Sequence, residues 1–280
     1  MFVWSKLSSV NWADAWEERF SGDPRAVMTR LAGKTTIRVE LYCERKREAD
    51  AVKQQFGGRV REIKNQNWAA MNQELPPPVK VRDRLLVVAE KGRGELAALR
   101  KANPKRQVIS IPPDMAFGTG HHATTATVLR MLVDFAEERA EKPWTMLDLG
   151  TGSGLLAIAA EKLGATKAWG CDFDPLAVKV AHENLRRNGT ENVALEVADV
   201  LQWKPKEKWD CVAANLFHDV LEAAFPKLVR SLKRDGALFI SGILRTQAES
   251  CLDAGRRAGL EFDHVVSRGK WVTARGRLDK

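Results

Sequence analysis

Apolar and polar residues alternate through Thr36–Tyr42, with Ile37, Val39 and Leu41 on one side. This two-residue period predicts a half-buried strand. A charged stretch around Arg45–Gln55 reads as a helix. Gly57-Gly58 then turn the chain into Arg59–Lys64, where Val60 and Ile63 carry a second, sparser strand pattern. Pro76-Pro77-Pro78 predict a locally extended polyproline segment. Short apolar runs at Arg84–Ala89 and Gln107–Ile111 predict two further strands. The first 65 residues thus read as a small α+β domain, residues 66–83 as a linker, and residues 84–280 as a second, larger domain.

From Thr124 the pattern becomes a regular alternation of strands and helices. Thr145–Gly150 reads as a buried strand ending in glycine, and Leu155–Leu163 as an apolar helix closed by Gly164. Lys167–Cys171 is the next strand and Pro175–Asn188 the next helix. Val193–Val197, Asp210–Ala214 and Ala237–Ser241 follow as strands with helices between them, and Phe262–Val266 and Trp271–Ala274 close the chain as a hairpin turning at Gly269. Such alternation predicts an α/β fold, a mostly parallel sheet covered on both faces. The closing hairpin places one antiparallel strand in it.

Composition narrows the setting. No stretch of the 280 residues approaches the roughly 20 apolar positions of a membrane span. The opening MFVWSKLSSVNWADAWEERF lacks the apolar run of a signal peptide, so a soluble cytoplasmic protein is expected. Cys43, Cys171, Cys211 and Cys251 form no CxxC pair, which reads as four reduced thiols. The net charge of +9 is unevenly placed. Residues 1–113 hold 22 Lys and Arg against 13 Asp and Glu, whereas residues 114–280 hold 23 of each. A basic first part fits either an anionic partner such as RNA or a solubilising surface.

The chemistry concentrates in LDLGTGSG (Leu147–Gly154), a strand running into a glycine turn and then a helix. Such turns bring backbone close to a ligand at the carboxyl ends of the strands. Gly150, Gly152 and Gly154 give a G-x-G-x-G spacing, and position 155 is Leu, unlike the dinucleotide fingerprint. The Gly-Lys-Ser/Thr of a phosphate-binding loop is also missing. Asp148 places a carboxylate just before the turn, which suits a ligand with a cationic amino group and no phosphate. S-adenosylmethionine is such a ligand.

GCDFDP (Gly170–Pro175) puts Asp172 at the end of the second strand, where a carboxylate accepts from both ribose hydroxyls. Asp174, before Pro175, reads as a helix N-cap. Asp199 follows the third strand, facing the adenine amino group or serving the turn. Asn215, in AANLFHD (Ala213–Asp219), emerges at the same rim as Gly150 and Asp172. Its amide would orient an amine nucleophile or hold the cofactor, or would cap a helix running from Leu216. His121 and His122 are adjacent and point apart, with no third ligand spaced to join them, so no metal site is expected. His122 in a loop could help to close the site, and His218 could act as a base or lie on a helix surface.

MAFGTGHHATT (Met115–Thr125), LDLGTGSGLLAIAAEKLGA (Leu147–Ala165), GCDFDP, AANL and SGIL (Ser241–Leu244) resemble the bacterial family that methylates ribosomal protein eleven of the large subunit. The likeness runs from about Gln107 to the C-terminus. The AFGTG…TT segment is its specific part, and Trp68 with Arg84-Leu85 also looks similar. The resemblance implies a seven-stranded Rossmann-like class I methyltransferase sheet, its last strand antiparallel, behind a small N-terminal domain that grips the substrate. It also implies cofactor contacts at Thr125, Gly150, Asp172 and Asn215, with Phe117 near the cofactor, and transfer of methyl groups to lysine side-chain and N-terminal amines. Gly152 and Asp199 join the cofactor set and Asn215 is the expected catalytic residue. Asp114, Ala123 and Phe217-His218 depart from the family's usual residues.

Two other readings stand beside this one. The basic first part suits a methyltransferase acting on rRNA or tRNA, although Leu216-Phe217 replace the Pro-Pro-aromatic segment that usually follows the asparagine in enzymes acting on base amines. A non-catalytic module bound to the ribosome or its RNA would not need the cofactor residues. The expected partner is a ribosomal protein, RNA-associated through residues 1–113, with no membrane and no metal. Trp4, Trp12, Trp16 and Trp68 lie in that recognition half.

Overall fold

A computed structural model describes the chain apart from residues 1, 14–15, 17–18, 21–22, 24, 32–34, 63–74, 113–117, 141 and 280. The chain divides into two compact units, residues 1–74 and 75–280.

The first unit is a four-stranded antiparallel sheet with a helix on it. Its strands are β1 (Phe2–Ser9), β2 (Ala26–Arg30), β3 (Thr36–Cys43) and β4 (Arg59–Glu62), in the order β2-β3-β1-β4. Helix α1 (Lys46–Phe56) ends where Gly57 takes φ +71°. The alternation read in Thr36–Tyr42 is realised: Ile37, Val39 and Leu41 are buried together with Trp4, Cys43 and Ala49. Trp16, Phe20 and Phe56 pack around Trp4 with ring centroids 6.1–6.2 Å away. The Trp4 Nε1–H donates to the Gly57 carbonyl, which ties the first strand to the end of α1. Trp12 is exposed, and Trp68 lies outside the described residues.

The second unit opens with a small sheet of β5 (Val79–Val81), β6 (Leu85–Val88) and β7 (Gln107–Ser110). Pro76–Pro78 lead straight into β5, which pairs antiparallel with β6. The amphipathic helix α2 (Arg93–Ala102) joins β6 to β7 and packs Leu96 and Leu99 against Leu86, Val88 and Val108.

The main sheet follows. Its elements are α3 (Ala123–Glu138), β8 (Trp144–Leu149), α4 (Leu155–Lys162), β9 (Ala165–Asp172), α5 (Pro175–Asn188), β10 (Val193–Val197), β11 (Trp209–Asn215), α6 (His218–Ser231), β12 (Leu232–Leu244), α7 (Ala248–Arg257), β13 (Leu260–Arg268) and β14 (Trp271–Leu278). Strand order is β10-β9-β8-β11-β12-β14-β13. Pairing is parallel from β10 to β12, and β14 runs antiparallel to both β12 and β13. The antiparallel strand expected from the closing hairpin is therefore β14, and the hairpin turns at Gly269 with φ +60°.

Two apolar cores cover the two faces. One gathers Val128, Leu129, Leu132, Phe135, Ile158 and Phe239. The other gathers Leu147, Leu221, Phe225, Leu228, Ile240 and Leu252. Near-continuous apolar runs such as Cys211–Ala214 follow from this double burial, because a strand covered on both faces has no polar side. After β8 the chain winds outward through β9 and β10, then returns to place β11 on the other side of β8. The order reverses between β8 and β11, and a crevice opens at their carboxyl ends, where such sheets bind ligands.

Candidate active site

The glycine turn at the end of β8 is built by φ values that side chains resist. Gly150, Gly152 and Gly154 sit at φ +76°, +53° and +78°. The Gly150 and Thr151 N–H groups both donate to the Cys171 carbonyl at 2.9 Å, which ties the turn to β9. A Cβ on Gly150 would lie 2.4 Å from Leu216 Cδ2, so this glycine also makes room for the segment leaving β11. Gly154 caps α4 and packs on Ala181, so the helix starts hard against α5.

Asp148 is fully buried. The Thr151 hydroxyl donates to its Oδ2 at 2.7 Å, while its Oδ1 has no partner among the described residues. Burial pushes its carboxyl up to about 7, the Thr151 hydrogen bond pulls against this, and the nearby Asp172 charge adds to it. Asp172 Oδ2 accepts from the Gly152 N–H at 2.9 Å and its Oδ1 from the Asp174 N–H at 3.1 Å. A carboxylate has about four lone-pair sites, so two remain for ligand hydroxyls. Asp174 is the N-cap of α5, accepting from the Leu176 N–H at 2.8 Å, with Pro175 at the first helical position. That is the structural role its sequence position suggested.

The structure separates the roles open to Asn215. Helix α6 begins at His218, and its N-cap is Phe217, which makes no side-chain cap bond. Asn215 instead ends β11, half-buried, and its Nδ2 donates to Thr125 Oγ1 at 3.4 Å. Thr125 is buried in the first turn of α3, ninety residues earlier in the chain. Asp199 Oδ1 accepts from the Leu201 N–H at 2.8 Å and its Oδ2 from Gln202 Nε2 at 3.1 Å, so its carboxylate organises the turn after β10. Phe117 lies outside the described residues, but its neighbour Gly118 is anchored: Ser153 Oγ donates to the Gly118 carbonyl at 2.7 Å.

The two adjacent histidines serve different partners. His121 Nε2 is 2.8 Å from the Pro77 carbonyl. His122 is the N-cap of α3, bonded to Thr124, with its ring edge-on to Trp271 at 5.1 Å. Burial lowers its pKa. His122 is thus part of the helix start rather than of a closing loop. His218 is partly buried at the first position of α6. All four cysteines are free and buried, and burial pushes the Cys171 and Cys251 thiols up to about 12. No group of three or more His, Cys, Asp or Glu among the described residues could hold a metal ion, and no helix there is long and apolar enough to cross a membrane.

Several positions outside the expected site residues also shape the crevice. The Leu216 N–H donates to the Ser241 carbonyl at 3.0 Å. A Cβ on Gly242, at φ +88°, would lie 2.3 Å from the Leu216 carbonyl oxygen. The SGIL segment therefore fixes the exit of β11 and, through it, Asn215. Two buried amides on α5 do similar work. Asn184 Nδ2 donates to the Ser153 carbonyl, and Asn188 both donates to the Ser110 carbonyl and accepts from its N–H. Their i, i+4 spacing on a helix that packs against the sheet was the available clue.

The donor set fits S-adenosylmethionine. The loop Leu147–Leu156 contains no Lys or Arg to meet a phosphate. Asp172 keeps acceptor capacity for a ribose, and Asp148 has an unpaired oxygen beside the turn.

Known proteins resemble this chain over most of its length. The family described as ribosomal protein L11 methyltransferase (PrmA) matches residues 23–279. The ribosomal protein L11 methyltransferase of Alkaliphilus oremlandii is 35% identical over 211 residues, which make up 75% of this chain and 64% of that protein. The one from Agrobacterium fabrum is 38% identical over 221 residues, 78% of this chain and 73% of that protein. The match thus spans less than two thirds of the Alkaliphilus protein's length. A crystal structure of ribosomal protein L11 methylase from Lactobacillus delbrueckii subsp. bulgaricus aligns with a TM-score of 0.54 and 32% identity, covering 62% of this chain and 86% of that one. With this fold and this match across 23–279, the chain belongs to the ribosomal protein L11 methyltransferase family.

Proposed function

We propose that this chain is a cytoplasmic S-adenosylmethionine-dependent protein methyltransferase that modifies lysine side-chain and N-terminal amines of ribosomal protein L11. The observation that carries the reading is the meeting of Asn215 and Thr125 at 3.4 Å beside the glycine turn, at the point where the strand order reverses.

S-adenosylmethionine, when bound, supplies an electrophilic methyl group. Gly150 and Gly152 would let the backbone approach it, Asp172 would accept from its ribose hydroxyls, and buried Asp148 would place a carboxyl behind the turn on the side of its amino group. Asp199 would complete the pocket at the adenine side, and the family resemblance adds Phe117 to the residues near the cofactor. Because Asn215 Nδ2 is committed to Thr125, its Oδ1 is the atom that accepts from the substrate amine. That bond aims the nitrogen lone pair along the line of transfer. The bound cofactor would supply the methyl carbon and keep the electron pair of its carbon–sulfur bond on sulfur, and the product ammonium, oriented by Asn215, would lose a proton to solvent. Orientation of this kind supplies roughly 7–11 kcal/mol in good cases. A lysine amine, with an ordinary pKa of about 10.4, must arrive neutral, and desolvation in the crevice promotes that.

The basic charge of residues 1–113, which span the first unit and the small sheet that opens the second, supports a further element, that this part of the chain reaches the protein substrate beside RNA. Binding to an RNA-bound substrate then weakens steeply with salt, and indifference to salt refutes that element.

The deciding experiment is incubation with radiolabelled S-adenosylmethionine and ribosome-containing extract, followed by mass spectrometry. Label in L11 supports the proposal. Label in RNA overturns its substrate class. Asn215→Ala abolishes transfer while the folded state persists, and a fully active Asn215→Ala enzyme removes Asn215 from the mechanism.

A further inference from the structure

The connection from β10 to β11 covers its side of the main sheet without a helix. On one face α5 packs against β9 and β10. On the other, residues 198–208 cross as a turn and extended chain. The cover there is aromatic. Trp169, from β9, stacks on Trp203 with ring centroids 5.6 Å apart and planes 22° from parallel. Trp209, at the start of β11, lines the same hollow, with Lys167 Nζ 5.0 Å from its ring centroid. The hollow has a volume of about 380 Å³, within the range of small-ligand sites.

A second hollow adjoins the first and shares Trp203 with it. Its wall carries Lys204, Lys206, Lys208, Lys227 and Arg230 against a single acid, Glu207. Glu207 is already paired with Lys167 at 2.6 Å. Asp199, which lines the first hollow, is committed to its own turn through Leu201 and Gln202. Among the described residues Lys204, Lys206 and Lys208 join no ion pair. Residues 114–280 are neutral as a whole, so this charge is a local concentration. Rings alone would roof an apolar sheet, whereas cations gathered on one wall repel one another and draw in an anion. Gly150, Asp172 and Asn215 line neither hollow, which sets this surface apart from the crevice.

Half-buried rings beside a basic wall match planar bases joined by phosphates. We propose that this surface binds single-stranded RNA, with an unpaired base stacked on the Trp169–Trp203 pair and the flanking phosphates held by Lys204, Lys206, Lys208 and Arg230. Every base has a face to stack, so the site selects a strand for being unpaired rather than for its sequence. A duplex keeps its base faces covered and offers this wall its phosphates alone. The second unit thereby gains an RNA contact of its own, separate from the basic residues 1–113, and that contact does not depend on which amine the enzyme methylates.

The test uses the full chain and a short, fluorescently labelled RNA strand of mixed sequence carrying 4-thiouridine. Cross-linking and mass spectrometry locate the strand, and fluorescence anisotropy over a salt series measures its affinity. Cross-links are expected within residues 199–209. Trp203→Ala is expected to weaken binding of the single strand by roughly 5- to 150-fold, to leave binding of a duplex of the same sequence unchanged, and to be largely rescued by Trp203→Phe. The doubly substituted Lys206→Gln, Lys208→Gln chain changes exposed side chains only, so its fold is kept even if Trp203→Ala loosens the sheet. Loss of two phosphate contacts is expected to flatten the slope of log affinity against log salt by about 1.4. Cross-links confined to residues 1–113, a salt slope unchanged in the double lysine variant, or single-strand affinity unchanged in a folded Trp203→Ala chain each overturn the proposal. None of these results bears on methyl transfer, which is read separately by label in L11.

Discussion

Replacing Gly150 by Ala strikes the point where the glycine turn and the exit of β11 touch. The residue sits at φ +76°, and the left-handed region costs a side chain about 1–2 kcal/mol. The added Cβ would also lie 2.4 Å from Leu216 Cδ2 and 3.4 Å from Leu216 Cγ. Leu216 cannot simply swing away, because its N–H is bonded to Ser241 and its carbonyl rests on Gly242. Overpacking of this sort costs about 1–3 kcal/mol. The expected loss is therefore about 2–5 kcal/mol, a large share of the roughly 5–15 kcal/mol that holds a folded protein. For a unit of this size that corresponds to a fall of about 4–20 °C in melting temperature. Calorimetry of Gly150→Ala in the wild-type and Leu216→Ala backgrounds separates the two parts. With Leu216 truncated only the backbone part of about 1–2 kcal/mol remains, which gives a coupling of about 1–3 kcal/mol. Equal costs in the two backgrounds, or a loss below about 0.5 kcal/mol, would refute the packing account.

Two further perturbations test the same region. The Asp148 carboxyl, raised by burial to about 7, holds its proton in the folded protein over a range where the unfolded chain, with a pKa near 4, has released it. The folded state then binds more protons between about pH 4 and 7, so this residue's contribution to stability falls as pH rises through that window and levels off above it. Asp148→Asn should gain on wild type across the window in chemical denaturation, and parallel stability–pH curves would contradict this. By the same sign, binding of a ligand with a cationic amino group near pH 7 should release a proton, measurable by calorimetry in buffers of different ionisation enthalpy. Asn188→Ala leaves both the N–H and the carbonyl of buried Ser110 without their side-chain partner, at an expected cost of about 2–5 kcal/mol from two unsatisfied groups. A loss below 1 kcal/mol in urea denaturation would show that the two groups find other partners.

What the sequence determined by itself was local. The strand, glycine turn and helix from Trp144 to Lys162 need only an apolar run followed by residues that tolerate positive φ. The limits of α5 are written in Asp174-Pro175 at its start and Gly189, at φ +57°, at its end. The antiparallel β14 follows from a hairpin turn at Gly269. Each of these rests on interactions within a few residues. β1 and β2 were not legible, because Phe2–Ser9 and Ala26–Arg30 become strands by pairing with β3 across intervals of sequence that carry no mark of the partner. Helix α2 shows only Leu96 and Leu99 on an otherwise charged face, too short a stripe to stand out.

The site divides along the same line. Asp172 and the glycines announce themselves by position after a strand. Asn215 does not, since an asparagine before an apolar helix fits a cap equally well. Only the tertiary structure removes it from that duty, by starting α6 at His218 and bringing Thr125 across ninety residues to meet it. Ser241, Gly242 and Asn188 belong to the same class. Their roles arise from contacts between elements distant in the chain, and such contacts are fixed by how the sheet closes, not by any residue's own preference.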